Sequence, residues 1–559
     1  MPNRTDSEKI SDYELSESRS SGFCRVAEGD GRNGLLLSSP KRESRMSNRT
    51  RLVAIILAAL PLTAAAEDLP PSRTSALPVP PGQIDKAVKA LDGIIAGIKE
   101  RSGVPGIAVA VVHDGETVYA KGFGLRGEGD APVTAETVFQ IASVSKSIAA
   151  TVVAHQVSEG VVSWDSRMQD LLPWFRLSDP AITAQLTVGD LFSHRSGLPD
   201  HAGDDLEDLG FGREIILERL AQLPLAPFRT SYAYTNFGLT AAAEGVAQAS
   251  GMAWSDLVSQ SLLEPLGMTT ASARFDDFMA RDNRAVPQAL QPSGSFAPLF
   301  QRDPDAQSPA GGMSASVEDM AKWMKMVLAE GGDLIDADAL MPAISPQAFS
   351  GRPHVADERP GFYGYGFNTG VSSSGRVMLG HSGAFIMGTA TAFTLIPSLD
   401  LGIVTLTNAS PVGVPESINA SFADIAQTGA IERDWFSGYN PLFMSFYEPL
   451  GHTAGMPFPE AAAPAPALET LTGTYANAYF GTVEIRETAG RLTLYAGPEN
   501  MAFPLEHWDG STFVFDIETE NAAISSRSTA TFTDGDGEAE MLEIELFSVD
   551  GVPGRFERM

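Results

Sequence analysis

The chain has 559 residues, of which 70 are acidic and 39 are basic, and its formal net charge is −31. Such an excess of negative charge repels nucleic acid and anionic membrane surfaces, so we expect neither as a partner. The one cysteine of the sequence, Cys24, leaves no second thiol with which an internal disulfide could form.

Residues 46–66 have the three parts of a secretory signal peptide. A basic segment begins at Met46, an apolar core runs from Leu52 to Leu62, and three alanines end the segment at Ala66. The core is too short to span a bilayer comfortably, which predicts a periplasmic or secreted protein without a stable membrane anchor. Residues 1–45 are then interpreted as a disordered or mis-assigned extension, and residues 67–82 as a proline-rich linker.

The next elements predict an α/β domain over residues 83–430. An amphipathic helix around residues 84–99 precedes a hairpin, residues 106–112 and 117–122, that turns at Asp114-Gly115. Helical patterns follow, and strand patterns return between residues 377 and 406. Strands at both ends of a helical stretch predict one sheet built from both ends of the domain, covered by helices and lying beside an all-helical part.

A helix is predicted to begin at Ser143 and to end near Gly160. Residues three apart share one face of a helix, so Lys146 comes within reach of Ser143. Burial would favour the neutral lysine, which can accept the serine proton. The backbone N–H of Ser143, in the first helical turn, is free to act as an oxyanion donor. Because Ser-x-x-Lys also occurs in ordinary helices, the pair needs support from the rest of the chain.

Two later segments hold side chains that would complete an acylating serine site. Tyr234 can carry the serine proton as a phenolate or relay it to a leaving group, and Asn236 can orient both Lys146 and a substrate carbonyl. His381 lies on a predicted strand, where Gly383 permits a close backbone approach and the N–H of Ala384 is the predicted second oxyanion donor.

Two further histidines, His194 and His201, lie around a glycine and a proline in a predicted loop. Their separation matches no spacing typical of metal ligands, so we interpret both as loop residues. The sequence therefore predicts no metal and no cofactor.

Residues 431–466 are rich in proline and alanine and are interpreted as a second linker. Residues 467–559 then show short runs of β-forming residues between turns that contain glycine, which predicts a small antiparallel sheet or barrel. The runs are residues 482–486, 491–495, 512–515 and 542–546.

Residues 83–429 resemble the serine β-lactamase-like family, which includes class C β-lactamases, penicillin-binding proteins, D-aminopeptidases and related S12 peptidases, and family VIII carboxylesterases. The resemblance rests on segments that occur in order: Phe139-Gln-Ile-Ala142 with Ser143 and Lys146, Leu186 to Pro199, Tyr234-Thr-Asn-Phe-Gly238, Pro265-Leu-Gly-Met268, Pro309-Ala-Gly-Gly-Met-Ser314 and His381-Ser-Gly383. The segment that begins Leu471-Thr-Gly-Thr-Tyr475 resembles the lipocalin-like domain appended to some S12 peptidases.

The resemblance implies a serine hydrolase that forms an acyl-enzyme on Ser143. An S12-type peptidase or D-aminopeptidase acting on short or unusual peptides is the first hypothesis. His381 stands where β-lactamases and penicillin-binding enzymes commonly carry lysine, and a neutral imidazole attracts a substrate carboxylate less strongly. The alternatives are therefore a family VIII-like carboxylesterase, then a β-lactamase, or a non-catalytic penicillin-recognising protein. The expected partner is a small peptide, amide or ester, and assembly into a homo-oligomer is left open.

Overall fold

The computed structural model describes residues 69–127, 129, 131–534, 537–549 and 551–559. The predicted extension, signal peptide and start of the first linker, residues 1–68, lie outside these described residues. Within the described part of the chain, no helix is long and apolar enough to cross a membrane.

The strands of the first domain are listed here in chain order: β1 (Gly106–His113), β2 (Glu116–Gly124), β3 (Phe139–Gln140), β4 (Ala289–Leu290), β5 (Phe296–Ala297), β6 (Ser314–Ala315), β7 (Ala348–Gly351), β8 (Gly361–Tyr363), β9 (Asn368–Val371), β10 (Val377–Phe385), β11 (Thr389–Ile396) and β12 (Leu401–Thr407). Those of the second domain are β13 (Gly473–Asn477), β14 (Gly481–Thr488), β15 (Arg491–Ala496), β16 (Met501–Asp509), β17 (Thr512–Asp516), β18 (Arg527–Asp534), β19 (Ala539–Ile544) and β20 (Arg555–Arg558).

The α-helices are α1 (Gln83–Ser102), α2 (Ser145–Ser158), α3 (Met168–Leu171), α4 (Pro180–Thr183), α5 (Val188–Phe192), α6 (Asp204–Asp208), α7 (Arg213–Arg219), α8 (Asn236–Ser250), α9 (Trp254–Val258), α10 (Glu264–Leu266), α11 (Phe275–Met279), α12 (Ser308–Gly311), α13 (Val317–Leu328), α14 (Ala337–Leu340), α15 (Val414–Thr428), α16 (Trp435–Met444) and α17 (Leu468–Leu471). A π-helical turn, Ser259–Leu263, joins α9 to α10. Short 3₁₀ helices occupy Pro71–Arg73, Ala142–Val144, Leu220–Gln222, Asp305–Gln307, Pro397–Leu399, Ser445–Tyr447 and Glu545–Phe547.

One antiparallel sheet joins the two ends of the first domain. Among the described residues it has eight strands in the order β2-β1-β12-β11-β10-β9-β8-β7. β1 pairs with β12 in the register Val109 to Thr405, so a strand from the start of the domain lies beside one from its end. The predicted hairpin and the sheet built from both ends of the domain are therefore confirmed, and with them the α/β fold class.

Both faces of this sheet are covered, which explains why β1 is an almost continuous apolar run. Ile107, Val109 and Val111 pack with α1 and α15 on one face, whereas Ala108 and Ala110 belong to the larger core on the other. Residues on a strand point alternately to opposite faces, so a strand between two helical layers needs apolar residues at every position.

The described strands of the second domain form a closed eight-stranded barrel, β13 to β20. Three of the predicted runs lie within β14, β15 and β17, whereas the run 542–546 begins in β19 and ends in the 3₁₀ helix Glu545–Phe547. The sequence left a sheet or a barrel open, and the structure shows a barrel. Residues 431–466, interpreted as a linker, contain α16 and pack on the first domain: Phe436 is buried, and the hydroxyl of Tyr447 donates to the carbonyl of Pro411 at 2.8 Å.

Candidate active site

Ser143 lies in the 3₁₀ turn Ala142–Val144, directly before α2, where the sequence places a helix start. The residue before it, Ala142, has a φ of +45°, a conformation that costs energy for a residue with a Cβ atom. The hydroxyl of Thr391 holds this turn by donating to the carbonyl of Ile141 at 2.8 Å. A strained residue held by its surroundings is typical of functional sites.

β10 approaches the turn so closely that only glycine fits at position 383. A Cβ atom there would lie 2.4 Å from the carbonyl oxygen of Ile141 and 3.0 Å from the backbone nitrogen of Ser143. The predicted close approach at Gly383 is therefore confirmed. Ala384 follows on the same strand, opposite Ala390, and its role as an oxyanion donor stays a prediction.

Lys146 reaches back to Ser143 from the first turn of α2. Its Nζ atom lies 3.0 Å from Oγ of Ser143, 2.6 Å from Oδ1 of Asn236 and 2.9 Å from the carbonyl oxygen of Ala310. The predicted base, nucleophile and amide are thus brought together. The lysine side chain is fully buried, and burial lowers its pKa to about 7, although the charges of Asp204 and Glu207 oppose that shift. A substantial fraction of Lys146 is then neutral near pH 7.

Tyr234 lies against the same lysine, with Nζ of Lys146 4.6 Å from the centre of the phenol ring. Burial raises the pKa of Tyr234, and its hydrogen bond with Ser143 only partly offsets this shift. The phenol is therefore protonated at neutral pH. Of the two roles left open by the sequence, donation of a proton fits this site better than a resting phenolate.

Ser145, the other serine of the motif, has a structural role. Its Oγ atom accepts a hydrogen bond from the backbone N–H of Met313 at 3.1 Å, and the residue is fully buried. Ser143, in contrast, is half-buried. Ser143 is the candidate nucleophile because it contacts Lys146 and is more exposed than Ser145.

His194 and His201 lie in loops, as predicted, but both contact the site. His194 is buried, its ring centre lies 4.6 Å from that of Tyr234, and its Nδ1 atom accepts from the backbone N–H of Thr235 at 3.2 Å. The backbone N–H of His201 donates to the carbonyl of Tyr234 at 2.7 Å. Their interpretation as simple loop residues was incomplete, because this loop holds the Tyr-Thr-Asn segment in place.

His381 faces the site from β10, and it is uncharged. Its Nε2 atom lies 2.8 Å from the hydroxyl of Tyr363, and its Nδ1 atom lies 2.6 Å from the carbonyl oxygen of Ser382. That carbonyl can only accept, so the Nδ1 atom carries the proton and Nε2 accepts from the tyrosine. Burial, with the nearby charge of Lys146, lowers the pKa of His381 to about 3. The strand therefore presents no positive charge to a substrate carboxylate.

Asp204, the first residue of α6, belongs to the site but was not predicted from the sequence. Its Oδ2 atom accepts from Nδ2 of Asn236 at 2.7 Å and lies 2.7 Å from Nδ1 of His201. Asp204 is 4% exposed, and its Oδ1 atom has no hydrogen-bond partner among the described residues. In the sequence it stands in the acidic run Asp204-Asp-Leu-Glu-Asp208, a pattern typical of a solvated helix start, so no local signal marks it.

The C-terminal barrel also reaches this region. Oε1 of Glu520, from the segment between β17 and β18, accepts from the backbone N–H of Ile386 at 2.8 Å, just beyond β10. Arg302, whose side chain is 10% exposed, lies between the two domains, 2.7 Å from Glu207 and 3.8 Å from Glu520. The barrel thus supports the end of the strand that carries His381 and Gly383.

Within the described residues, no group of three or more histidine, cysteine, aspartate or glutamate side chains is arranged to hold a metal ion. The chemistry that the site offers comes from a hydroxyl, a fully buried amine, a phenol and backbone N–H groups.

Comparison with known proteins agrees with this geometry. Residues 91–427 match the family model described as Beta-lactamase, and residues 459–558 match a domain of unknown function, DUF3471. An unguisins hydrolase of Aspergillus campestris is 27% identical over 433 residues, which cover 73% of this chain and 79% of that protein. A D-aminopeptidase of Brucella canis is 28% identical over 312 residues, which cover 53% of this chain and about half, 54%, of that protein.

Among solved structures, an octameric penicillin-binding protein homologue from Pyrococcus abyssi superposes with a TM-score of 0.56 at 22% identity. The alignment covers 82% of this chain and 98% of that one. At this identity the likeness supports the fold alone.

Proposed function

Because the chain belongs to the β-lactamase family of serine hydrolases, we propose that it forms an acyl-enzyme on Ser143 and releases the acyl group to water. The observation that carries this proposal is the contact between Ser143 and a buried lysine whose pKa is lowered to about 7. A neutral amine at hydrogen-bond distance is the base that a serine nucleophile requires.

In the proposed reaction, the oxygen of Ser143 attacks the substrate carbonyl while Lys146 accepts the serine proton. The backbone N–H groups of Ser143 and Ala384 donate to the oxyanion as it develops. Tyr234 then gives its proton to the leaving group and regains one from Lys146. In the second half, water attacks the ester carbonyl and loses a proton to Lys146. The bond between the acyl carbon and the oxygen of Ser143 then breaks, and that oxygen takes the proton from Lys146, which releases the acid and restores the starting state.

We infer that the substrate is a short or unusual peptide, as for an S12-type peptidase or D-aminopeptidase. The similarity to an unguisins hydrolase and to a D-aminopeptidase supports hydrolysis over a role without turnover, and the aminopeptidase favours an amide bond as the one cleaved. The neutral His381 favours substrates without a carboxylate next to the reacting bond. A β-lactamase is therefore a weaker candidate than the other hydrolases.

A family VIII-like carboxylesterase is the second candidate, because the same neutral His381 would also accept an ester. The signal-peptide pattern of residues 46–66 leads us to propose a periplasmic or secreted location for either enzyme.

One panel of substrates separates these functions. D- and L-aminoacyl p-nitroanilides, p-nitrophenyl esters and a chromogenic cephalosporin are compared at equal concentration, with Ser143→Ala as the inactive control. We expect the highest kcat/KM on an aminoacyl amide. Turnover of esters alone would favour the carboxylesterase, and turnover that survives in Ser143→Ala would contradict the proposed nucleophile.

A further inference from the structure

A chain of hydrogen bonds leads from the surface to the amine of Lys146. Nδ1 of His201 lies 2.7 Å from Oδ2 of Asp204, and Nδ2 of Asn236 donates to the same oxygen at 2.7 Å. Oδ1 of Asn236 then accepts from Nζ of Lys146 at 2.6 Å. The side chain of His201 is 53% exposed, whereas that of Asp204 is 6% exposed. The chain therefore joins a solvated imidazole to the buried base.

The direction of the Asn236 amide decides where a neutral Lys146 places its lone pair. A neutral amine has two N–H donors and one lone pair. The carbonyl oxygens of Asn236 and Ala310 only accept, so each takes one N–H and the lone pair is left for the hydroxyl of Ser143. A reversed amide would turn its NH₂ group toward Lys146, and that donor would compete with Ser143 for the lone pair.

An ionised carboxylate beside Asn236 allows only one of these two amide orientations, because it accepts hydrogen bonds and donates none. Asp204 can therefore face only the NH₂ group of Asn236, which leaves the amide oxygen for Lys146. Nδ1–H of His201 donates to the same carboxylate and holds it in place. The backbone of this turn is fixed as well, since the N–H of Asp204 donates to the carbonyl of His201 at 3.0 Å.

We propose that Asp204 and His201 are positioning residues that hold the Asn236 amide so that the lone pair of Lys146 faces Ser143. This inference rests on the proposed function, because it concerns the same lysine and serine. Asp204 acts through Asn236, and His201 acts through Asp204.

The charges around Lys146 give each positioning residue a separate effect on the pH profile. Burial lowers the pKa of Lys146, and the charges of Asp204 and Glu207 oppose that shift. Partial burial lowers the pKa of His201, but its hydrogen bond to Asp204 and the charge of Asp200 outweigh burial, and the net pKa is raised. A protonated His201 and a protonated Lys146 disfavour each other. Of the other titratable groups that face the lysine, the buried His194 and His381 and the half-buried Tyr234 are uncharged near pH 7. Burial raises the pKa of Glu207 to about 7.

Removal of the two charges should therefore shift the acidic limb of the rate profile in opposite directions. Asp204→Asn removes a negative charge, so Lys146 loses its proton more easily and the limb moves to lower pH. His201→Ala removes a positive charge, so the limb moves to higher pH. A purely structural role for either residue would change the rate without these opposite shifts.

The experiment measures acylation by a p-nitrophenyl ester in the full chain, from about pH 5 to pH 9. Asp204→Leu removes the acceptor of the amide, and we expect its acylation rate constant to fall about 10- to 100-fold with little change in KM. Asp204→Asn keeps an acceptor, so its acylation rate constant should fall less than that of Asp204→Leu. His201→Asn, whose NH₂ group can occupy the position of Nδ1–H, should restore most of the rate lost in His201→Ala. Glu214→Gln, an exposed charge on α7, is the matched control.

The proposal is overturned if Asp204→Leu and His201→Ala acylate at the rate of the control with an unmoved acidic limb. If Asp204→Leu does not fold, as judged by circular dichroism, the variants of the half-exposed His201 decide the question by the same criterion. Failure of the proposed function would look different, because the unaltered protein would then not be labelled by a fluorophosphonate.

Discussion

Gly383→Ala tests the close approach between β10 and the turn that holds Ser143. The added Cβ atom would lie 2.4 Å from the carbonyl oxygen of Ile141, 2.4 Å from Oγ1 of Thr391 and 3.0 Å from the backbone nitrogen of Ser143. Ordinary van der Waals contact begins at 3.4 Å. Two of these three atoms belong to the backbone, so the strand or the turn must move by about 1 Å to relieve the overlap.

Such a displacement is large for an active site, where the reacting atoms must be held in a precise geometry. A shift of about 1 Å can lower a catalytic rate about 100-fold, and overpacking of a core costs about 1–3 kcal/mol. We therefore expect Gly383→Ala to lower the acylation rate constant about 100-fold and the free energy of unfolding by about 1–3 kcal/mol.

The assay is the pre-steady-state burst of p-nitrophenol, together with chemical denaturation of each variant. Gly370→Ala is the matched control, because Gly370 lies on the neighbouring strand β9 and a Cβ atom there would meet no other atom within 4 Å. If Gly383→Ala acylated as fast as Gly370→Ala, the tight contact would have no catalytic importance and this reasoning would be refuted.

Three further predictions concern protons. Because Lys146 must be neutral to act and its pKa is about 7, the acylation rate should rise with pH through about 7; a profile that is flat from pH 6 to 8 would contradict a lysine base. Tyr234→Phe should lower kcat about 10²- to 10⁴-fold with a smaller change in KM, and near-normal kcat in steady-state kinetics would exclude the phenol as a proton donor. Glu416 is half-buried, but its carboxyl oxygen Oε2 is buried, and burial raises the pKa of this group to about 7. The folded state therefore binds the proton more tightly than the unfolded state, and this contribution to stability is present below about pH 4.5 and is lost as pH rises through about 7. Glu416→Gln should therefore flatten the fall in Tm between pH 5 and 8, and an unchanged slope in calorimetry would refute that assignment.

Local sequence patterns could predict those parts of the site whose geometry depends on a single helix, strand or hairpin. Ser143 and Lys146 are three residues apart on one helical stretch, so helix geometry alone brings them together. A glycine within an apolar strand indicates a close contact, and Gly383 makes one. The hairpin of β1 and β2 follows from alternation and a turn signal in the same way.

Contacts between distant segments could not be predicted in this way. The carboxylate of Asp204 acquires its role only because α6 places it beside Asn236, 32 positions away along the chain. Glu520 meets the backbone of Ile386 across 134 positions. In the sequence both residues resemble solvated acidic side chains, and burial against a partner from another element is what changes their chemistry.

The central claim, an acyl-enzyme on Ser143, is tested most directly by trapping it. The full chain is mixed with a slowly hydrolysed p-nitrophenyl ester, quenched in acid, digested and mapped by mass spectrometry, with Ser143→Ala treated in parallel. We expect one acyl adduct, on Ser143, that is absent from the variant. An adduct on Ser145, or continued turnover by Ser143→Ala, would contradict the claim.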